Sequence, residues 1–272
     1  MPAKVRFELI DAVAHVTLSY PKRFNAMSRA MWGELRAVFE QVQQLSQVRC
    51  VLVAGQGAHF CAGGDISEYP GFRFQEASLR EFHEGDVWGA LSAMLACDVP
   101  MVAQIAGNCM GAGVEIASCC DIRLSAESAR FGAPIAKLGF PMAPREAALV
   151  SREVGAVTAR QMLLEAAVFS APDMMQRGFL SRVVADVDLP ALTLATVQRI
   201  CQLAPQAARL NKQTLRAINQ PVAQMNRAYD AFKSIADASP ENPLSEAAYA
   251  YADSAEQREG ITAFLEKRSP RF

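Results

Sequence analysis

Met101–Cys120 reads MVAQIAGNCMGAGVEIASCC, and the order of residue types in it decides how the chain is read. Met101–Ala106 has the composition of a short buried strand. Gly111, Ala112 and Gly113 follow, small enough for a tight turn, and the remainder reads as a helix start. Between Asp98 and Asp121 the only side chain that is ordinarily charged is Glu115. A buried unpaired carboxylate is costly, so stability alone gives little reason for one here. A helix N-terminus presents unpaired N–H groups and partial positive charge. One short segment therefore offers a donor for an oxyanion and a carboxyl for proton transfer. The competing explanation is structural: the small residues let strand and helix approach, and Glu115 is an ion-paired residue of the first turn.

A second segment bears on that choice. Cys50–Gly55 (CVLVAG) is a compact strand that leads into QGAHFCAGGD, Gln56–Asp65. Ala62-Gly63-Gly64 ahead of Asp65 is another tight, backbone-exposing turn. Two such turns, each after a buried strand, can bring two N–H groups to one oxygen; the alternative is two ordinary turns with no shared ligand. Acyl-transfer and enolate chemistry needs that arrangement, each donor contributing about 3–4 kcal/mol to an oxyanionic transition state.

With both segments in view, the chain resembles the enoyl-CoA hydratase/isomerase, or crotonase, superfamily. His59–Ile66 (HFCAGGDI) and Ile105–Leu124 (IAGNCMGAGVEIASCCDIRL) are similar to its two signature segments. Ser19–Ser28, Ala129–Pro141, Val154–Val184 and Ile261–Phe272 resemble further family segments in the family's order. The resemblance implies an α/β fold, a spiral of ββα units over residues 1–200. It also implies a helical C-terminal region over 201–272 that carries trimer contacts; the alternative is a tail packed on its own subunit.

Composition agrees with a globular enzyme. The 272 residues can bury a sizeable core, half are hydrophobic, and the formal net charge is −1. A pI of about 6.3 gives no sign of nucleic-acid binding. The one long uncharged run, around Glu115, holds Gly, Asn and Gln, which argues against a membrane span. MPAKVRFELI has no signal-peptide pattern. The seven cysteines, without a CxxC pair, read as buried free thiols of a cytoplasmic protein, and the scattered His15, His59 and His83 speak against a metal site.

Along the chain, Val5–Ile10 and Ala14–Ser19 alternate like paired strands, and Ser28 caps a helix to about Leu45. Tyr69–Phe74 is a loop and Gln75–Ala96 is helical in pattern. Asp121–Leu124 and Ala129–Phe131 read as short strands. Met142–Val154, Thr158–Ala167 and Pro172–Arg177 read as helices, the last closed by Gly178. From Leu189 the pattern is helical, broken at Pro205, Pro221, Pro240 and Pro243.

The resemblance also assigns roles by position. The N–H groups of Gly64 and Ala112 would hold the thioester oxygen, with Ala112 standing where glycine is usual. Glu115 matches the family's first catalytic carboxylate. Its helix-start position would lower its pKa and its apolar setting would raise it. The second family carboxylate is missing: in Phe131-Gly132-Ala133-Pro134-Ile135 the position after proline is Ile135. Met142 stands where the family has a water-positioning glycine. His83, Glu68 and Glu84 are alternative proton donors, each more simply a solvated residue. Lys22 and Arg23, then Ala62, Asp65, Ile66 and Ser67, match the segments that bind CoA, and Lys267 and Arg268 match basic residues that reach a CoA phosphate. Phe72, Phe74, Phe82 and Trp88 would line the acyl pocket or belong to the core. The expectation is an acyl-CoA enzyme with no separate cofactor, hydratase by default. Isomerase, decarboxylase, thioester hydrolase and a weakly catalytic acyl-CoA-binding protein are the alternatives. A homotrimer or dimer of trimers is expected, with no nucleic-acid or membrane partner.

Overall fold

Alternating side chains over Lys4–Ile10 (β1) and Val13–Ser19 (β2) pair these strands antiparallel, with Val5 opposite Leu18 and Phe7 opposite Val16. The computed structural model describes residues 3–218, 252 and 254–269. The expected breaks at Pro221, Pro240 and Pro243 lie outside the described residues. Cys50–Gly55 (β3), Met101–Ile105 (β4), Ile122–Ala126 (β6) and Arg182–Val184 (β9) add in parallel, giving a six-stranded sheet in the order β1-β2-β3-β4-β6-β9. A second sheet, order β5-β7-β8, consists of Asn108–Met110 (β5), Arg130–Gly132 (β7) and Val168–Ser170 (β8). The architecture is the α/β spiral that the sequence suggests. β4 is buried on both faces, as its unbroken apolar run requires.

Arg29–Gln44 (α1) starts where Ser28 Oγ accepts from Met31 N, and buries Met31, Trp32, Leu35, Val38, Phe39 and Val42 at helical spacing. The stretch with a helical pattern after Gln75 divides in three. Glu76–Arg80 (α2) and Trp88–Ala96 (α3) flank a π-helical segment, Glu81–Val87. Wide turns of this kind recur at functional sites because they re-aim side chains, and this one carries Phe82 and His83. Ala112–Ser118 (α4) is buried along its whole length.

Pro144–Val154 (α5) and Ala156–Leu164 (α6) meet at Gly155, whose φ of 82° allows the sharp junction. The second helix therefore begins two residues before the expected Thr158, and it ends before Ala166, which is left-handed at φ 54°. Ala171–Gln176 (α7) has a full capping box between Ser170 and Asp173. Leu189–Cys201 (α8) and Pro205–Ile218 (α9) follow. Ala255–Leu265 (α10) packs on its own chain, so tightly that a Cβ on Gly260 would lie 2.1 Å from the Leu138 carbonyl oxygen. Six of the seven cysteines are buried, Cys201 is partly so, and all are free thiols. No described helix is long and apolar enough to cross a membrane.

Candidate active site

The two glycine turns lie side by side because their strands pair. Cys61 N donates to Asn108 O (2.9 Å) and Met110 N donates to Cys61 O (2.9 Å), a parallel bridge between Cys61 and Cys109. Gly113 allows a close approach: a Cβ there would stand 2.6 Å from Cys61 O. Gly111, the N-cap of α4, has φ 48° and ψ −111°, a conformation that side chains rarely take.

Each turn leaves one N–H to spare. Met27 N donates to Gly63 O and Asp65 N donates to Met27 O, both at 2.8 Å. Met27 bonds the residues on either side of Gly64, so in this parallel bridge the Gly64 N–H faces away from it. Ala112 is the first residue of α4, where an N–H has no intrahelical acceptor. Gly64 and Ala112 both line a cavity of about 530 Å³. Tyr69 crowds Gly64, its hydroxyl 2.1 Å from where a Cβ would be, so only glycine fits there without a shift.

Glu115 lines the same cavity and is 6% exposed. Among the described residues no cation lies within 4 Å of its carboxyl, so it is not the ion-paired first-turn residue of the structural alternative. The two opposed influences on its acidity resolve in favour of burial, which raises its pKa well above the ordinary value. The nearby Glu146 charge raises it further, and Arg73 offsets part of this.

Glu146 is the residue that sequence reasoning missed. It is the third residue of α5, 3% exposed, and lines the cavity with Glu115. Burial pushes its pKa up to about 8, Arg73 and the Ala143 backbone pull the other way, and Glu84 adds to the rise. A signal was present: Glu146, Leu149, Val150 and Val154 share the buried face of α5, so helical spacing puts a carboxyl on an apolar face. Ile135, where the resemblance looks for a second carboxylate, opens the 3-10 turn Ile135–Leu138 and lines the cavity with an alkyl group. Met142 also lines it.

His83 is 6% exposed rather than solvated, and its Nδ1 lies 2.7 Å from Glu146 Oε1. Burial first, then the Arg73 charge, hold its pKa well below the ordinary value, so the ring is neutral. Glu84 instead pairs with Arg145 at 3.3 Å, and Glu68, exposed, accepts from Arg29 N. Neither lines the cavity.

Arg73 and Tyr69 were not singled out by pattern, and both are buried at the cavity wall. The Arg73 guanidinium lies over the Phe140 and Tyr69 rings, 4.0 and 4.5 Å from their centroids. Burial pushes the Tyr69 phenol up to about 12. Of the other aromatic candidates, Phe82 lines the cavity. Phe72 packs on Phe82 at 4.6 Å, Phe74 stacks with Arg258, and Trp88 is in the core.

At the mouth, Lys22 and Arg23 are exposed cavity residues on a loop held by buried Asn25. Asn25 accepts from Tyr20 N and donates to the Gln56 and His59 carbonyls. Ala62, Asp65 and Ile66 line the cavity as well. Asp65 caps the following turn, accepting from Ser67 N (3.1 Å) and Ser67 Oγ (2.6 Å), and Arg23 stands 3.9 Å away. Ser67 thus serves Asp65 and does not itself line the cavity. Lys267 is exposed just beyond α10 and outside the lining, and Arg268 is tied to Glu259 and Glu266.

Comparison with known proteins bears on this geometry. Residues 8–272 match the family model described as Enoyl-CoA hydratase/isomerase. The chain is 30% identical over 257 residues to the short-chain-enoyl-CoA hydratase of Clostridium acetobutylicum, covering 94% of this chain and 92% of that one. Among solved structures, an enoyl-CoA hydratase/carnithine racemase from Magnetospirillum magneticum is 32% identical, with a TM-score of 0.78 over 100% of this chain and 96% of that one. An enoyl-CoA hydratase/isomerase from Pseudoalteromonas atlantica is 26% identical, with a TM-score of 0.77 over 98% and 99%.

Proposed function

Because the chain belongs to the enoyl-CoA hydratase/isomerase family, we propose that it hydrates a 2-enoyl-CoA thioester with two carboxyls, Glu115 and Glu146. The observation that carries the reading is that both buried carboxyls line one cavity with Gly64 and Ala112.

In this reading the thioester C=O accepts from the Gly64 and Ala112 N–H groups. Two preorganised donors suit the negative charge that builds on that oxygen when water adds to the β-carbon. The water oxygen forms the bond to the β-carbon, and the C=C electron pair moves into the enolate. One carboxylate takes the water proton, and the other carboxyl protonates the α-carbon, so no net proton is consumed. Two buried carboxyls acting on each other titrate as a pair: the first to ionise holds the other protonated. That gives one base and one acid at the same time. Glu146 thereby fills the role that Ile135 leaves empty, reached from the start of α5. Neutral His83, which also lines the cavity, fixes the Glu146 carboxyl.

Lys22 and Arg23 suit the CoA phosphates by charge, and Ala62 and Ile66 suit the neighbouring part of CoA as cavity wall. Asp65 acts through the turn that it caps. CoA is part of the substrate, and the mechanism calls on no further cofactor. The resemblance extends the proposal to a cytoplasmic trimer or dimer of trimers, in which Lys267 reaches the CoA of a neighbouring subunit. Light scattering on the full chain tests the assembly.

The test of the reaction is hydration of crotonyl-CoA, followed as loss of the enoyl thioester absorbance, for wild type, Glu115→Gln and Glu146→Gln. Loss of turnover in both variants supports the two-carboxyl reading. Loss in Glu115→Gln alone supports a single-carboxyl hydratase. A wild type that binds the thioester without hydrating it moves the assignment to isomerisation, decarboxylation or thioester hydrolysis. Unchanged turnover in Glu115→Gln leaves acyl-CoA binding as the role.

A further inference from the structure

Arg73 is a buried charged group of this cavity that the proposed chemistry does not use; Lys137, which also lines it, is exposed. It is 1% exposed, and its Nε and Nη2 are buried without a hydrogen-bond acceptor. No carboxylate of the described residues lies within 4 Å of it, Glu115 and Glu146 included. A guanidinium, unlike an ammonium or a carboxyl, does not escape burial by changing its charge. A buried cation of this kind calls for an anion.

The backbone is built to hold it there. Arg73 N donates to Tyr69 O at 2.8 Å, and Gln257 Nε2 from α10 donates to Arg73 O at 2.5 Å. The aromatic faces of Tyr69 and Phe140 flank the guanidinium, which lines the cavity with its Nε and Nη2 unmatched. The site is also close to where the thioester would react. The Tyr69 ring beneath Arg73 ends in the hydroxyl that touches Gly64.

We propose that Arg73 receives a carboxylate carried on the acyl chain, so that the enzyme prefers the CoA monothioester of an unsaturated dicarboxylic acid to a plain fatty enoyl chain. The inference rests on the acyl-CoA reading of the cavity and deepens it. A planar guanidinium with free N–H groups matches a carboxylate in geometry as well as charge. The two glutamates do not supply that anion, because neither brings a carboxyl oxygen within 4 Å of the guanidinium. A neutral alkyl chain would leave the cation buried and unmatched in the complex, with any water that reaches it in the free enzyme displaced.

The experiment measures the affinity of wild type, Arg73→Lys and Arg73→Met for two thioesters of equal chain length, by calorimetry under non-turnover conditions with Glu115→Gln as the common background. One is pent-2-enoyl-CoA, which is neutral at the chain end. The other is glutaconyl-CoA, which ends in a carboxylate. The proposal expects glutaconyl-CoA to bind at least about tenfold tighter, the scale of one charge-assisted contact. It expects that preference to shrink to within about threefold in Arg73→Met and to survive in part in Arg73→Lys. Equal affinity for the two thioesters with Arg73 in place, or a preference for the neutral chain, overturns the proposal without recourse to the variants. A carboxylate preference that Arg73→Met leaves intact also overturns it. Failure of both thioesters and of free CoA to bind is a different result, which removes the acyl-CoA reading itself.

Discussion

His83 Nδ1 and Glu146 Oε1 lie 2.7 Å apart in a part of the molecule where each residue is less than a tenth exposed. Burial disfavours charge on both partners, lowering the imidazole and raising the carboxyl. The contact is therefore one between neutral groups sharing a proton, not a salt bridge. It leaves Glu146 as an acid held in place and available to the cavity.

That assignment has a sign in stability against pH. The folded protein keeps a proton on Glu146 up to about pH 8, whereas an ordinary glutamate loses it near 4.5. The stability this proton contributes is complete below the unfolded value and is lost as pH rises through the folded one. His83 has the opposite dependence: its folded value lies below 6.5, so its contribution is lost on the acid side. Between pH 6.5 and about 8 the carboxyl contribution is unopposed by His83. Unfolding free energy should then fall with pH by up to about 1.4 kcal/mol per unit for each such carboxyl. Urea unfolding at the two ends of that window checks it: Glu146→Gln should show the shallower fall, and equal slopes contradict the assignment.

The backbone donor of Ala112 can be removed without changing a side-chain function. Proline is tolerated at the first position of a helix, where its missing N–H is not needed for the helix. Ala112 holds that position, behind a glycine that lacks the Cβ which usually clashes with a following proline. Ala112→Pro should fold and lose about 10²- to 10³-fold in kcat on the thioester substrate. Near-normal kcat in a folded Ala112→Pro protein would remove this N–H from the mechanism.

Convergence of the two turns depends on Gly113. A Cβ there would meet the Cys61 carbonyl at 2.6 Å, and Cys61 is fixed by its own pairing with Asn108 and Met110. Backbone cannot swing aside as a long side chain can. Gly113→Ala should cost about 1–3 kcal/mol in unfolding free energy, the usual scale of overpacking, and lower kcat as the turns separate. Chemical denaturation with a parallel activity assay measures both, and an unperturbed protein would mean that the helix start has slack.

The sequence carried the strand–turn–helix of Met101–Cys120 because an apolar run, small residues and one charge are all local signals. It carried α1 for the same reason, through Ser28 and the spacing from Met31 to Val42. Arg130–Gly132 was legible one residue early, as Ala129–Phe131, whereas the equally short Asn108–Met110, Val168–Ser170 and Arg182–Val184 were not, since three residues are too few to show a dependable alternation. The π-helical segment was read only as helix, because a single wide turn hardly disturbs the period. In the site, Gly64, Ala112 and Glu115 were legible as local motifs, and the structure brings them to one cavity. Glu146 was hidden differently: its neighbour in space, Glu115, is thirty-one positions earlier in the chain, and only its place on the apolar face of α5 hinted at burial. Arg73, between Phe72 and Phe74 in an irregular loop, had no period to betray it.

The central claim is that two buried carboxyls work together, and the most direct test is the crotonyl-CoA hydration rate of Glu146→Gln beside wild type and Glu115→Gln. The account predicts that each single variant loses about 10²- to 10⁴-fold in kcat, with thioester binding retained, because each removes one partner of an acid–base pair. A Glu146→Gln protein that hydrates at the wild-type rate would contradict it and return the chemistry to Glu115 alone.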